Sequence, residues 1–227
     1  MSLYLQLELR LLFASLLRVA VPIIVPLAPL ALRYAGVLSQ DLVEPSFILL
    51  YQFLAMAYLP LTTGLVRGGW RLAWLLRPPD SALLLTASYT GLLAATSALP
   101  IAAYRLLIQL SGPMQPGVQV IILTLSIGIL HQSLALLCLS TLRDMTAGWA
   151  ALLTYQAILL TLAANLLTQG LSGAHLISTP LFPALLAIAP QAPPEVLYTA
   201  AALCIASSLL FTYLAARSIV RPASPWG

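Results

Sequence analysis

The sequence contains no lysine; all ten of its basic residues are arginine. A phosphate-binding loop of the form Gly-x-x-x-x-Gly-Lys-Ser/Thr is thereby excluded, because its lysine contacts the β- and γ-phosphates. Charge of either sign is scarce. Charged residues make up 7% of the 227 residues, against about 25% in a soluble domain. So few charges cannot make a water-facing surface. There are two cysteines, Cys138 and Cys204, both inside apolar runs. They read as small buried hydrophobes rather than as a disulfide framework. What is abundant is apolar: 61% of the residues are hydrophobic, and the mean hydropathy is +0.99. This composition predicts an all-α integral membrane protein. At about 20 apolar residues per crossing the length allows about six helices and no sizeable soluble domain. Residues 1–227 therefore read as a single transmembrane domain.

The few charges organise the chain. Arg67 to Asp80 holds three arginines, Arg67, Arg71 and Arg77, between two long apolar runs. Ionised side chains cost several kcal/mol each in hydrocarbon, so this stretch is a water-facing connector. Residues 1–18 are leucine-rich with spaced polar groups, including Gln6, Glu8 and Arg10. They predict an interfacial amphipathic helix and no cleavable signal peptide. Spans follow at about 19–37, 47–66, 82–104, 118–139, 149–167 and 196–216. The first contains Pro22, Pro26 and Pro29, which should bend it. Residues 39–46, with Asp41 and Glu44, read as a loop. Residues 181–188 are apolar but too short to cross, and read as a re-entrant segment between the fifth and sixth spans.

This layout places Arg10, Arg18, Arg67, Arg71, Arg77, Arg143, Arg217 and Arg221 on one side, and only Arg33 and Arg105 on the other. The excess marks the cytoplasmic side. Both termini and the 67–80 connector are then cytoplasmic, in a bacterial-type inner membrane. The net charge of +4 reports that topology; nothing resembles a nucleic-acid-binding surface.

Polar residues inside the spans are the candidate substrate path: Gln52, His131, Gln132, Gln156 and Asn165. No Asp, Glu or Lys lies in the span interiors from Phe47 onward, so an ion-coupled carrier is disfavoured. His131 has two readings: a contact facing a lateral cavity, or a neutral ring bonded to a neighbouring helix. His175 has no partner that would make a metal or haem site. Gly91, Ala94, Ala95 and Ala98 on the third span suggest a close helix contact. Catalytic residues and metal ligands are not expected: paired carboxylates, a metal cluster and a nucleophile–base pair are all missing. On the connector, Trp70 and Trp74 share a helical face with Arg67 and Arg71. This reads as an aromatic headgroup anchor, and also as a docking helix for a cytoplasmic partner. Fourteen residues is long beside the usual helix–helix connection of about 2–8.

The connector ends in Leu76-Arg77-Pro78-Pro79-Asp80-Ser81-Ala82-Leu83-Leu84-Leu85 and leads into a long apolar span. With the amphipathic start, the polar turn Ser140 to Trp149 and the short segment 181–188, it resembles the membrane (permease) subunit of type-2 ABC exporters. A chain of this length without a large extracellular domain is similar to the haem-exporter B subunit within that family. The resemblance implies that Arg67, Arg71, Trp74, Arg77 and Asp80 form the coupling segment that contacts an ATPase subunit. It also implies a separate ATP-binding cassette partner carrying ATP and Mg, with no cofactor in this chain. Two permease copies, as a homodimer or heterodimer, would be usual, and the substrate hydrophobic or amphipathic. The rival reading is a non-transport membrane subunit, a scaffold in a larger complex.

Overall fold

A helix with apolar side chains on all its faces belongs at the centre of a bundle. Val118–Leu142 is such a helix, with leucines and isoleucines all round it. The computed structural model describes residues 20–21, 23–62, 81–111, 118–142, 145–169 and 194–220. Among them every regular element is helical. A 3-10 turn, Val25–Leu27, leads into α1, Ala28–Tyr34. Then come α2, Gln40–Thr62; α3, Ser81–Ser111; α4, Val118–Leu142; α5, Met145–Gln169; and α6, Pro194–Val220. Three helices, α3, α4 and α6, are long and apolar enough to cross a membrane. The amphipathic start 1–18, the connector 67–80, the turn at Arg143-Asp144 and the segment 181–188 lie outside the described residues.

Two prolines of the first expected span act as breaks, Pro22 lying outside the described residues. Pro26 lies in the 3-10 turn and Pro29 at the start of α1. A proline ring lacks the N–H and crowds the carbonyl four residues back, so a regular α-helix gives way to a 3-10 turn there. At the other end, Gly36 adopts φ +72°. The Val37 N–H donates to the Leu32 carbonyl at 2.9 Å, and the Gly36 N–H to the Arg33 carbonyl at 2.9 Å. This is a Schellman stop, which needs a left-handed residue that glycine alone adopts without strain.

The expected loop 39–46 is helical instead, since α2 starts at Gln40. Asp41 and Glu44 fall at its second and fifth positions, and acidic residues are common near a helix N-terminus. Pro45, the sixth residue of α2, costs the helix one bond, the one its N–H would make to the carbonyl of residue 41.

α4 packs against α2, α3, α5 and α6, most extensively against α6. Leu123, Ile127 and Leu130 of α4 close on Leu197, Ala200, Ala201 and Cys204 of α6. Further along, Leu136 meets Ala215 and Ala216 of α6 together with Leu85, Tyr89, Leu92 and Leu93 of α3. The buried stripe of α6 continues through Ser208 and Thr212, at helical spacing and with small side chains throughout. Small residues let backbones approach closely, and van der Waals contact is what holds apolar helices together when lipid is as apolar as they are. Ser218 Oγ of α6 also donates to the Ser140 carbonyl of α4 at 3.1 Å.

Three of the four small residues of α3 do not serve this purpose within the described helices, Ala94 alone being half-buried. Gly91, Ala95 and Ala98 are exposed, and nothing lies within 4 Å of a Cβ built at Gly91. The inward face of α3 is Leu92, Leu93, Thr96 and Ser97. The tight approach is at Gly128 of α4, where a Cβ would overlap the hydroxyl of Tyr51 and come within 2.6 Å of its Cζ. Tyr51 is 2% exposed, stacks on Phe47, and is hydrogen-bonded, so it has no room to retreat.

Gly128→Ala should therefore destabilise the bundle by about 1–3 kcal/mol, the usual range for overpacking. Unfolding in mixed detergent micelles checks this. Combining it with Tyr51→Leu should cost clearly less than the sum of the two single changes; strict additivity would show that the two residues do not meet.

Candidate functional site

The polar residues of the helix interiors are concentrated where α2, α3 and α4 converge. Gln132 of α4 is 1% exposed. Its Nε2 donates to Ser97 Oγ at 3.2 Å, and its Oε1 accepts from Thr96 Oγ1 at 2.7 Å. Thr96 Oγ1 also lies 2.9 Å from the Leu92 carbonyl and 3.2 Å from the Leu93 carbonyl, so its one proton has three acceptors in reach. Tyr51 of α2 donates its hydroxyl to the Ser97 carbonyl at 3.0 Å. Three helices are thus joined through one layer: Tyr51, Thr96 with Ser97, and Gln132.

The backbone of α3 explains why the layer sits here. Pro100 lies inside α3. It offers no N–H, and its ring pushes on the preceding turn, which leaves carbonyls there less well paired. The carbonyl that loses its N–H donor is that of Thr96, four residues back; the one Tyr51 reaches is the next, that of Ser97, in the turn the proline ring crowds.

Of the expected path residues, Gln132 and His131 have different neighbours. Gln132 is a helix-to-helix tie. His131, beside it, faces elsewhere: it is fully buried, its ring 6.0 Å from that of Tyr155 on α5 and tilted by 57°. Its Nδ1 lies 3.0 Å from the carbonyl of Ile127, one turn back on the same helix. A carbonyl only accepts, so Nδ1 carries the proton and Nε2 of the neutral ring is left as an acceptor. That Nε2 is buried and has no hydrogen-bond partner. The bond to a neighbouring helix expected for His131 is thus replaced by one to its own helix. Gln52 is 4% exposed, and its Nε2 is likewise buried without a partner. Gln156 is buried on α5. Asn165 lies on α5, with its side chain outside the described residues, and so do the coupling residues Arg67, Arg71, Trp74, Arg77 and Asp80.

Sequence reasoning missed Tyr51, Thr96, Ser97 and Tyr155. Pro100 was the available signal: a proline within an apolar run marks a turn whose carbonyls need outside donors. Both cysteines are free, Cys204 in the α4–α6 core and Cys138 half-buried. Among the described residues no group of three or more His, Cys, Asp or Glu is placed to hold a metal ion. What the layer offers chemically is hydrogen bonding, with unpaired capacity at Gln52 and His131.

Comparison with known protein families, with characterised proteins and with solved structures finds no match. The described structure defines the class of the chain as an all-helical bundle with three helices able to cross a membrane.

Gln132→Leu keeps the volume and removes two hydrogen bonds. At about 0.6 kcal/mol for an average interhelical bond in a membrane protein, it should cost about 1 kcal/mol. Adding Ser97→Ala should cost little more, because the partner is already gone. Unfolding midpoints of the single and double variants decide this; a full additional loss would show that Ser97 and Gln132 act separately.

Proposed function

We propose that this chain is the permease subunit of an ATP-driven exporter, moving a hydrophobic or amphipathic substrate, with ATP hydrolysis on a separate cassette subunit. The observation that carries the reading is the 67–80 connector. It is basic, holds two tryptophans, is long for a helix–helix connection, and contains no phosphate-binding lysine. The helices it joins add support. The connector lies between α2 and α3, and these two meet half-way along their length through Tyr51 and Ser97 and are tied there to α4 through Gln132. A displacement carried along α2 or α3 would reach α4 through these bonds.

In this reading the chain crosses a bacterial-type inner membrane six times, with both termini cytoplasmic. α2 and α5, of 23 and 25 residues, match the length a crossing needs. Exposed leucines and isoleucines such as Leu83, Leu106, Leu153, Ile158 and Leu210 face lipid. Two permease copies and two cassette subunits form the working unit.

The chain should co-purify from native membranes, in mild detergent, with a stoichiometric nucleotide-binding subunit. Arg71→Glu combined with Arg77→Glu should abolish that association, or uncouple ATP hydrolysis from transport, while membrane insertion is unchanged. Recovery with other membrane subunits and no ATPase would favour a scaffold role and sink the exporter reading.

A further inference from the structure

At the ends of α2 and α3 remote from the connector there is a second polar cluster, unrelated to the layer above. A small pocket is lined by Glu44 of α2, Tyr104 and Arg105 of α3, and Thr124 of α4, with apolar walls that include Phe47 and Ile121. Its free volume of about 10 Å³ holds about one water-sized group. Two of its polar atoms are buried with no hydrogen-bond partner: Glu44 Oε1 and the Tyr104 hydroxyl. Tyr104 is 3% exposed and held flat against Phe47, ring centroids 3.7 Å apart at 11°. Its hydroxyl is thus fixed at the pocket and cannot swing out to water. Glu44 lies in α2 just ahead of the apolar stretch that begins at Phe47. Arg105 is exposed at the rim.

A buried carboxylate and a buried hydroxyl left unmade are costly, and each calls for the same kind of partner. A primary ammonium group has three N–H donors on a centre the size of a water molecule. It can give one to Glu44 and one to Tyr104. A quaternary trimethylammonium offers no N–H and does not fit the volume. The guanidinium beside the pocket suits a phosphate attached a few bonds away. Apolar Leu106, Leu107 and Ile122 are exposed on the same helices for acyl chains to lie against.

We infer that the Glu44–Tyr104–Arg105 pocket binds the head group of a phospholipid bearing a primary amine, ammonium inward on Glu44 and Tyr104 and phosphate on Arg105. The site holds whether or not the chain is a permease, because none of its residues belongs to the connector or to the polar layer. It discriminates by the ammonium: phosphatidylethanolamine enters and phosphatidylcholine does not.

The test uses the full chain in nanodiscs of phosphatidylcholine alone, or with an equal share of phosphatidylethanolamine. Phosphatidylethanolamine should raise the unfolding midpoint by about 3 °C, the scale of a modest ligand-linkage effect in a chain of this size. It should also be retained in native mass spectra. Both effects should disappear in Glu44→Gln and weaken in Tyr104→Phe. The second variant loses one oxygen atom and keeps the stacked ring, so it serves if the first does not fold. Equal stabilisation by the two lipids, or stabilisation that survives both substitutions, overturns the proposal. A full shift from soluble phosphoethanolamine in phosphatidylcholine discs overturns the lipid as the source.

Discussion

The contact on which the bundle depends is the close passage of α4 against its neighbours. In water, burying apolar area would drive helices together; between helices facing hydrocarbon that drive is absent, and contact itself must stabilise. The chain achieves contact with two kinds of small surface. α6 presents Ala200, Ala201, Cys204, Ser208, Thr212, Ala215 and Ala216 to α4 and its surroundings. α4 presents Gly128 to Tyr51 of α2. The first lets two backbones lie side by side. The second opens a slot for one large ring, and by admitting it places a hydroxyl against the Ser97 carbonyl. The polar layer is thus a consequence of a missing Cβ: with any side chain at position 128, Tyr51 cannot occupy its place.

The two sides of α4 differ in kind. Toward α6 the contact is mostly carbon on carbon, with the serine and threonine hydroxyls of α6 turned back on their own helix, Ser208 to the Cys204 carbonyl at 2.6 Å and Thr212 to the Ser208 carbonyl at 2.7 Å. Toward α2 and α3 the contact runs through directed bonds with alternatives. Thr96 can turn its proton between Gln132 and Leu92. Close-packed surfaces resist sliding; hydrogen bonds with a second acceptor at hand can exchange.

Much of the fold was legible in the sequence because apolar run length and backbone satisfaction dictate it. Helices cover much or all of each expected span from 47–66 onward: α2 is described to Thr62, α3, α5 and α6 run past both expected ends, and α4 runs past its second. The errors have specific causes. Asp41, Glu44 and Pro45 read as loop residues by polarity, whereas they lie in the first two turns of α2, where acids are accepted and a proline costs a single N–H bond. Gly91 and its alanine neighbours were read as a contact surface by size, but which way a face points depends on the partner, and the sequence does not encode that locally. His131 and Gln132 are adjacent, and adjacent helical positions point about 100° apart, so they could not share one cavity wall. The candidate path groups residues by polarity along the chain, which does not show their faces. The pocket of Glu44 and Tyr104 joins positions sixty residues apart and was invisible for the same reason.

α2 and α3 therefore meet at two polar stations of opposite character. Half-way along, Tyr51 and Ser97 satisfy each other and, through Gln132, α4 as well. At the end remote from the connector, Glu44 and Tyr104 face one space with their hydrogen-bonding capacity unspent. A self-satisfied station fixes the register of the two helices; an unsatisfied one is stabilised only by what enters it. In the proposed exporter the third station would be the arginine connector itself, where a partner protein acts. The pair would then be held in the middle by the chain's own bonds and addressed at each end from outside, by lipid on one side and by protein on the other. A ligand that prefers one spacing of Glu44 and Tyr104 would bias the spacing of the same two helices at the connector, since linkage between sites on a shared rigid element is reciprocal.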